Sequence, residues 1–500
     1  MSLTQVDAYS PPETRLFAAQ FRKWCIVVGF VWVAVFLFLR SYPIDRPVER
    51  VTEVEHFYYG SIGSDRSSGL PVEIIRVLPV LFPQHLPVGA PRDLTAFGFI
   101  QEPGEVLPIG FSIRNQFVER TQINCGTCHT GTVRTSADAD PVIVPGMPAV
   151  TVDLHSFFQF LFDVARDDGF TGDAVVEAIE ANTDLNWLDR LIYRIAVDRM
   201  REQLQAREIR NAFIFADDYT RFLPGRVNTF DTFKVEQFRH FYEVEGVTPT
   251  RDEMFGIVDF PSVWNQAPRD GLWLHWDGNQ SSVRERNFSA AMGGGTLPHE
   301  MDIDALFRIE DYLSDLPAPE YPFPVDAELV AQGEQIYMAQ CAECHDFGAA
   351  LLGQTVPLDE IGTDPHRAWS YTDTIRRAQI DFTSGHFWQF RNFREIDGYA
   401  TQPLDGIWAR APYLHNGSVP SMWELLTPEE RPTAFEVGVD IYDPKNMGWQ
   451  VARLGPSDPY SGPNQILDTR AKGNASTGHS YGSDLGDAEK WALIEYLKTK

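Results

Sequence analysis

Cysteine is scarce in this chain, with five among 500 residues, and the five are not spaced as a disulfide framework requires. Cys25 lies in an apolar run and the other four form two Cys-x-x-Cys pairs, which leaves none over for a bridge. Basic charge is also short: 42 Lys and Arg against 70 Asp and Glu give a formal net charge of -28. That balance excludes nucleic acid as a partner and favours a basic one. Long apolar runs are missing everywhere but near the N-terminus. What is present is globular material. Hydrophobic residues at 43% and aromatics at 13% exclude a mostly disordered chain, and 500 residues exceed what one hydrophobic core usually supports.

The single apolar run, Trp24 to Leu39, reads WCIVVGFVWVAVFLFL and carries no charge. As a helix it would rise roughly 24 Å at about 1.5 Å per residue. With Phe21, Ser41 and Tyr42 at the interfaces and Lys23 and Arg40 snorkelling, a transmembrane anchor over 24–41 is expected. It ends in Leu39-Arg40-Ser41-Tyr42-Pro43 without an Ala-x-Ala cleavage site, so it reads as uncleaved, behind a cytoplasmic segment over 1–23.

From 42 to 87 the chain reads as a tether punctuated by Pro and Gly. A first module is expected over 88–318. Pro317, Pro319, Pro322 and Pro324 then forbid a continuing helix, and a second module follows over 325–500. Both modules end on an amphipathic helix. Leu306, Ile309, Leu313 and Leu316 make the stripe of the first, and Leu493, Ile494 and Leu497 that of the second. Leu329, Gly333, Ile336 and Tyr337 share a face of a helix just before Cys341. The first module carries a long insertion, including a packing helix over 187–207 with Leu188, Leu191, Ile192 and Ile195 on one side.

Cys125-Gly-Thr-Cys128-His129 and Cys341-Ala-Glu-Cys344-His345 are both Cys-x-x-Cys-His, the attachment pattern of c-type haem. Residues three and four apart share a helical face, so two thiols reach one porphyrin edge while the following histidine turns onto the iron. A thioredoxin-like pair or a zinc site would leave the histidine after each pair unexplained. Two covalently bound haem c groups are therefore expected, with His129 and His345 as proximal iron ligands. A sixth ligand often comes from the loop before the terminal helix. In the second module that loop offers His479, with His415, Met422 and Met447 as alternatives. The equivalent stretch of the first module, LHWDGNQSSVRERNFSAAMGGGTLPHEMD, offers Met292 and His299, and its Trp273, Trp276 and Phe288 could instead wall an open position.

EHFYYGSIGS, NCGTCHTGTVR, LPGRVNTFDTFK, LHWDGNQSSVRERNFSAAMGGG, PYLHNGSVPSMWELL and GHSYGSDLGDAEKWALIEYLKTK resemble the rubber oxygenase branch of the bacterial dihaem cytochrome c peroxidase superfamily. The resemblance implies a five-coordinate, reactive first haem on His129 and a bis-histidine second haem on His345 and His479.

The expected fold is mainly α: two cytochrome-c-like haem modules with long loop and helical insertions, plus an N-terminal transmembrane helix. Attachment of c-type haem occurs outside the cytoplasmic membrane, so the expected place is the bacterial inner membrane, single-pass, with the bulk of the chain in the periplasm. The expected function is a haem-dependent oxidoreductase that binds oxygen or peroxide at the first haem and transfers electrons through the second. Partners would be the membrane, a redox protein or complex, and a small organic substrate. Trp276, Phe288 and His275 are the candidate catalytic residues, with His275 or Asp277 able to move protons. The alternative is a pure dihaem electron carrier serving a membrane redox complex.

Overall fold

The computed structural model describes residues 20–33, 45–116, 118–228, 234–235, 246, 250, 252–455, 458 and 464–500. Residues 1–46 with 115–117 cluster as one compact unit, and 47–114 with 118–500 as a second. In the first unit, residues 20–33 are helical. That length rises about 21 Å, short of the roughly 30 Å of a bilayer core. Among the described residues no helix is long and apolar enough to cross a membrane. The expected anchor over 24–41, and with it the single-pass inner-membrane location, is corrected accordingly; residues 34–41 of that run and 1–19 of the cytoplasmic segment lie outside the described residues.

In the second unit, α1 (Glu53–Tyr59) starts on a capping box. Thr52 Oγ1 accepts from Glu55 N at 3.2 Å and Glu55 Oε2 accepts from Thr52 N at 3.0 Å, satisfying two backbone donors reciprocally. α1 buries Phe57, Tyr58 and Tyr59, and α2 (Val72–Leu81) buries Ile74, Ile75 and Leu78. The stretch read as a tether is thus part of the main core. α3 (Leu154–Arg166) adds Phe157, Phe158, Phe160 and Phe162, and Phe157 meets Phe97 and Phe99 edge-on at 5.5 and 5.2 Å.

α4 (Gly172–Glu180) and α5 (Trp187–Asn211) form the insertion. The buried stripe of α5 is Tyr193, Val197, Met200 and Leu204, whereas Leu191 and Ile195 are exposed. The expected face is therefore wrong by a rotation of the helix. Both stripes have helical spacing, and only packing against α3 and α4 chooses between them.

Beyond α6 (Val283–Gly293), α7 (Ile303–Asp315) buries Leu306, Ile309 and Leu313, as its stripe requires. The proline segment 317–324 is not helical. α8 (Ala327–Gln340), α9 (Asp373–Phe382) and α10 (Asp487–Leu497) follow. α8 and α10 cross at Gly333, where a Cβ would stand 1.9 Å from the Ala492 carbonyl oxygen. Gly333→Ala should force the two helices apart at a cost of about 1–3 kcal/mol. Denaturant unfolding of the variant checks this, and an unchanged midpoint would mean that the crossing tolerates the methyl group.

The fold class needs correction too: helix accounts for about 40% of the chain and is joined by several small sheets. β1 (Phe111–Asn115) pairs antiparallel with β2 (Arg120–Ile123), and β3 (Thr130–Val133) with β4 (Val142–Pro145). β5 (Arg226–Asn228) pairs with β6 (Ile257–Asp259), and β7 (Thr355–Pro357) with β8 (Gly398–Ala400). β9 (Ala434–Val437) lies between β10 (Arg453–Leu454) and β11 (Gln465–Asp468). Strands this short show no alternation long enough to be read in the sequence.

The two halves of the chain share their cores. Tyr371, Ile375, Trp388, Phe390 and Phe393 join the core built on α1–α3, while Val133, Met147, Val150 and Trp264 join the core built on α8 and α10.

Candidate functional site

The first Cys-x-x-Cys-His lies on a 3₁₀ turn, Cys125–Thr127, capped by Asn124. Asn124 Oδ1 accepts from Gly126 N at 2.9 Å, and its Nδ2 donates to the Tyr58 and Gly60 carbonyls at 3.2 and 2.9 Å. The end of α1 therefore fixes the turn that carries the thiols. His129 Nδ1 lies 2.8 Å from the Pro261 carbonyl, just beyond β6. A carbonyl can only accept, so Nδ1 holds the proton and Nε2 is the free, basic nitrogen, the arrangement of an iron-ligating imidazole. Loss of hydration holds this ring down to about 4, in its neutral form.

A cavity of about 300 Å³ opens in front of Cys125, Cys128 and His129. Ile123, Leu154, Phe158, Phe260, Leu306 and Ile309 supply apolar wall. His275, Trp276, Asn279 and Arg286 line it from before the proline segment, and Arg367, Tyr371, Phe393, Gln402 and Arg410 from beyond it. Arg410 and Arg269 share the Asp405 carboxylate, at 2.8 and 2.5 Å. Arg286 has no carboxylate partner among the described residues; Asn287 Oδ1 accepts from it at 3.2 Å. Burial lowers its guanidinium to about 10. An apolar slot edged by Arg286 and by the Arg269–Arg410 pair on one carboxylate fits a flat macrocycle bearing carboxylates, as haem does.

Trp276 lines this cavity and donates from Nε1 to the Asp259 carbonyl at 3.1 Å. Phe288 does not line it; its ring packs against Phe307 and Trp388 in the core. Met292 is likewise in the core and His299 is 71% exposed, so neither faces His129 across the cavity. Trp273 lies beneath the Arg394 guanidinium, 3.2 Å from its ring centre.

The second motif occupies the end of α8 and the turn Ala342–His345. His345 repeats the first arrangement, with Nδ1 2.6 Å from the Gln402 carbonyl. Across from it stands His479, the two ring centres 6.3 Å apart. An iron held at about 2 Å by a nitrogen from each ring puts the centres roughly 6 Å apart, so this gap fits one metal between two imidazoles. Burial lowers His479 to about 4, which keeps it neutral.

The loop that presents His479 is closely fitted. Gly478, at φ +77°, would bring a Cβ within 2.4 Å of the Ile361 carbonyl oxygen, and His479 N donates to that oxygen at 2.9 Å. Arg431 Nη1 holds the Gly478 carbonyl at 3.0 Å. His415, by contrast, is stacked on Tyr399 at 4.1 Å with its Nε2 3.1 Å from the Tyr399 hydroxyl. Met422 and Met447 are buried in the core around α8 and α10.

One short stretch ties the two sites together. Ala400 N donates to the Trp276 carbonyl at 2.9 Å, and Gln402 Nε2 donates to the His275 carbonyl at 3.3 Å, while the Gln402 carbonyl holds His345. Gln402 and Arg367 gave no signal in the sequence, because isolated polar residues outside a motif look like surface; Asn279 and Arg286 lay in the stretch LHWDGNQSSVRERNF without being singled out.

Burial pushes the thiols of Cys125 and Cys341 up to about 11, opposite to the depressed values of redox-active pairs. Among the described residues no group of three or more His, Cys, Asp or Glu is arranged to hold a metal ion.

Residues 398–436 match a family described as RoxA-like, cytochrome c-like. That segment holds β8, Gln402, His415 and Arg431, the wall between the two motifs rather than either motif. A protein of Sinorhizobium fredii (strain NBRC 101917 / NGR234) described as "Uncharacterized protein y4iM" is 32% identical over 288 residues, 49% of this chain and 65% of that protein. The chain thus spans less than two thirds of that relative's length. A second protein of the same organism, "Uncharacterized protein y4iJ", is 26% identical over 96% of this chain and 99% of its own. The chain is related to the cytochrome c-like proteins, and haem c is the cofactor that relationship implies.

Proposed function

We propose that the chain is a dihaem c-type cytochrome acting as a haem-dependent oxidoreductase. Cys125, Cys128 and His129 would hold a first haem at which oxygen or peroxide binds. Cys341, Cys344, His345 and His479 would hold a second, which exchanges electrons with a redox partner protein. The observation that carries the reading is an asymmetry: His345 faces an opposing imidazole at 6.3 Å, whereas His129 faces a cavity of about 300 Å³. Haem supplies one-electron redox chemistry and, where a coordination position is open, a place for a small ligand. The chain supplies two oriented proximal histidines, an apolar enclosure, and Gln402 in contact with both sites. A pure electron carrier remains the second reading, favoured by the imidazole of His275 in the first cavity. The test is the spectrum of the reduced protein with and without carbon monoxide. Half of the haem should respond, and no response would leave the electron carrier.

A further inference from the structure

The short stretch from Gln402 to Arg410 reaches both motifs, and its charges do not balance. At one end the Gln402 carbonyl holds His345, and at the other Arg410 lines the first cavity. Between them Asp405 Oδ1 accepts from Arg269 Nη2 at 2.5 Å and from Arg410 Nη2 at 2.8 Å, and Asn265 Nδ2 donates to its Oδ2 at 3.3 Å. Arg269 also lines the first cavity, and its guanidinium stands 5.7 Å from the ring centre of Phe347, two residues beyond His345. All three side chains are largely buried: Arg269 is 8% exposed, Arg410 11% and Asp405 16%.

Two guanidiniums share one carboxylate, and among the described residues neither forms a second ion pair. Arginine stays protonated in a protein, and burial lowers Arg410 only to about 10. Loss of hydration acts against the Asp405 carboxylate, yet Arg410 and Arg269 hold it below its ordinary value, so it is ionised. The cluster therefore carries one surplus positive charge. Arg410 Nε is buried and has no hydrogen-bond partner among the described residues, which leaves a donor free in a residue that lines the cavity.

A buried charge acts on whatever changes charge near it, because little water is present to screen it. The positive charge of Arg410 acts on His345, so its field reaches the second proximal ligand as well as the cavity it lines. An iron that accepts an electron becomes less positive. Positive neighbours favour that state and negative ones oppose it.

We infer that Arg269, Asp405 and Arg410 act as one electrostatic device that sets the reduction potentials of both haems together, the arginines raising them and Asp405 holding them down. The inference rests on the dihaem reading of the proposed function. A haem carboxylate taken up by the free donor of Arg410 would add to the pull of Asp405 and leave both signs unchanged. Because the same charges face both sites, the device fixes the potential at which the pair takes electrons from its partner protein, and alters the step between the two haems less.

The experiment is a spectroelectrochemical titration of the full-length dihaem protein, with each haem followed by its own absorption bands. Asp405→Asn removes one negative charge at nearly constant shape and should raise both potentials, while Arg410→Gln should lower both. Each shift should be roughly tenfold in the one-electron equilibrium, or about 59 mV. Asp405→Glu keeps the charge and should bring both potentials back near the wild-type values. A packing role alone would not give opposite signs, since a loosened site admits water, which favours the more highly charged oxidised iron and lowers the potential in both variants. Should Arg410→Gln fail to assemble, Arg269→Gln carries the same expected sign. Either haem indifferent to Asp405→Asn, or shifts of one sign in the Asp405→Asn and Arg410→Gln variants, would overturn the inference, and two haems bound by the wild type would leave the proposed function standing. A wild type holding a single haem by pyridine haemochrome would sink the proposed function and the inference with it.

Discussion

Cys125→Ala combined with Cys128→Ala is expected to halve the covalently bound haem, leaving only the haem on Cys341 and Cys344. The two thiols are the only covalent hold on the first macrocycle, and the 3₁₀ turn that presents them is fixed by Asn124 against the end of α1. The second motif is carried by a different element, the end of α8, so its haem should stay. A haem-stained denaturing gel with a pyridine haemochrome count gives the measurement. Full haem content in the double variant would remove the first site from the assignment. The same variant should lose the carbon monoxide response altogether, because on the proposed function the remaining haem would be closed by His479.

The second large effect is at His479. His479→Ala should convert the second haem from low-spin to high-spin and open it to carbon monoxide, so that both haems respond in the reduced protein. His345 would remain in place through the Gln402 carbonyl. His415→Ala should leave the spin state as it is, since that ring is engaged by Tyr399. Absorption and electron paramagnetic resonance spectra of the two variants decide the matter, and the opposite pattern would make His415 the ligand. Folding of the His479 variant should survive, because the loop is held by backbone contacts at Gly478 and by Arg431 rather than by the imidazole.

Both motifs were legible because covalent haem attachment demands a local pattern, two thiols and a histidine within five residues, that folding cannot rearrange. His479 stood out by position, in a loop before a terminal helix, and the structure sets its ring 6.3 Å from that of His345. The stripes read for α7 and α10 are buried in the structure, Leu306, Ile309 and Leu313 in the one and Leu493, Ile494 and Leu497 in the other. α5 offers two faces of helical spacing, and the choice fell to its neighbours. The apolar run near the N-terminus misled because hydropathy over a short window does not supply the helix length a span needs, and among the described residues no helix is long and apolar enough to cross a membrane.

The sequence by itself determined the two Cys-x-x-Cys-His patterns, the break at the prolines and the acidic charge balance. Each of these depends on residue type or on spacing within one turn or one segment. Only the tertiary structure decided what surrounds the motifs. Arg367, Tyr371, Phe393, Gln402 and Arg410 come from beyond the prolines to wall a cavity opened by Cys125 and His129. Phe288 was turned into the core, and Asn279, Asp277 and Arg367 were joined into a chain ending on His275. The Arg367–Asp277 and Phe288–Trp388 contacts link residues ninety or more positions apart, and they form because burying apolar side chains of both halves in shared cores leaves each buried polar group to find its partner wherever the packing brings one.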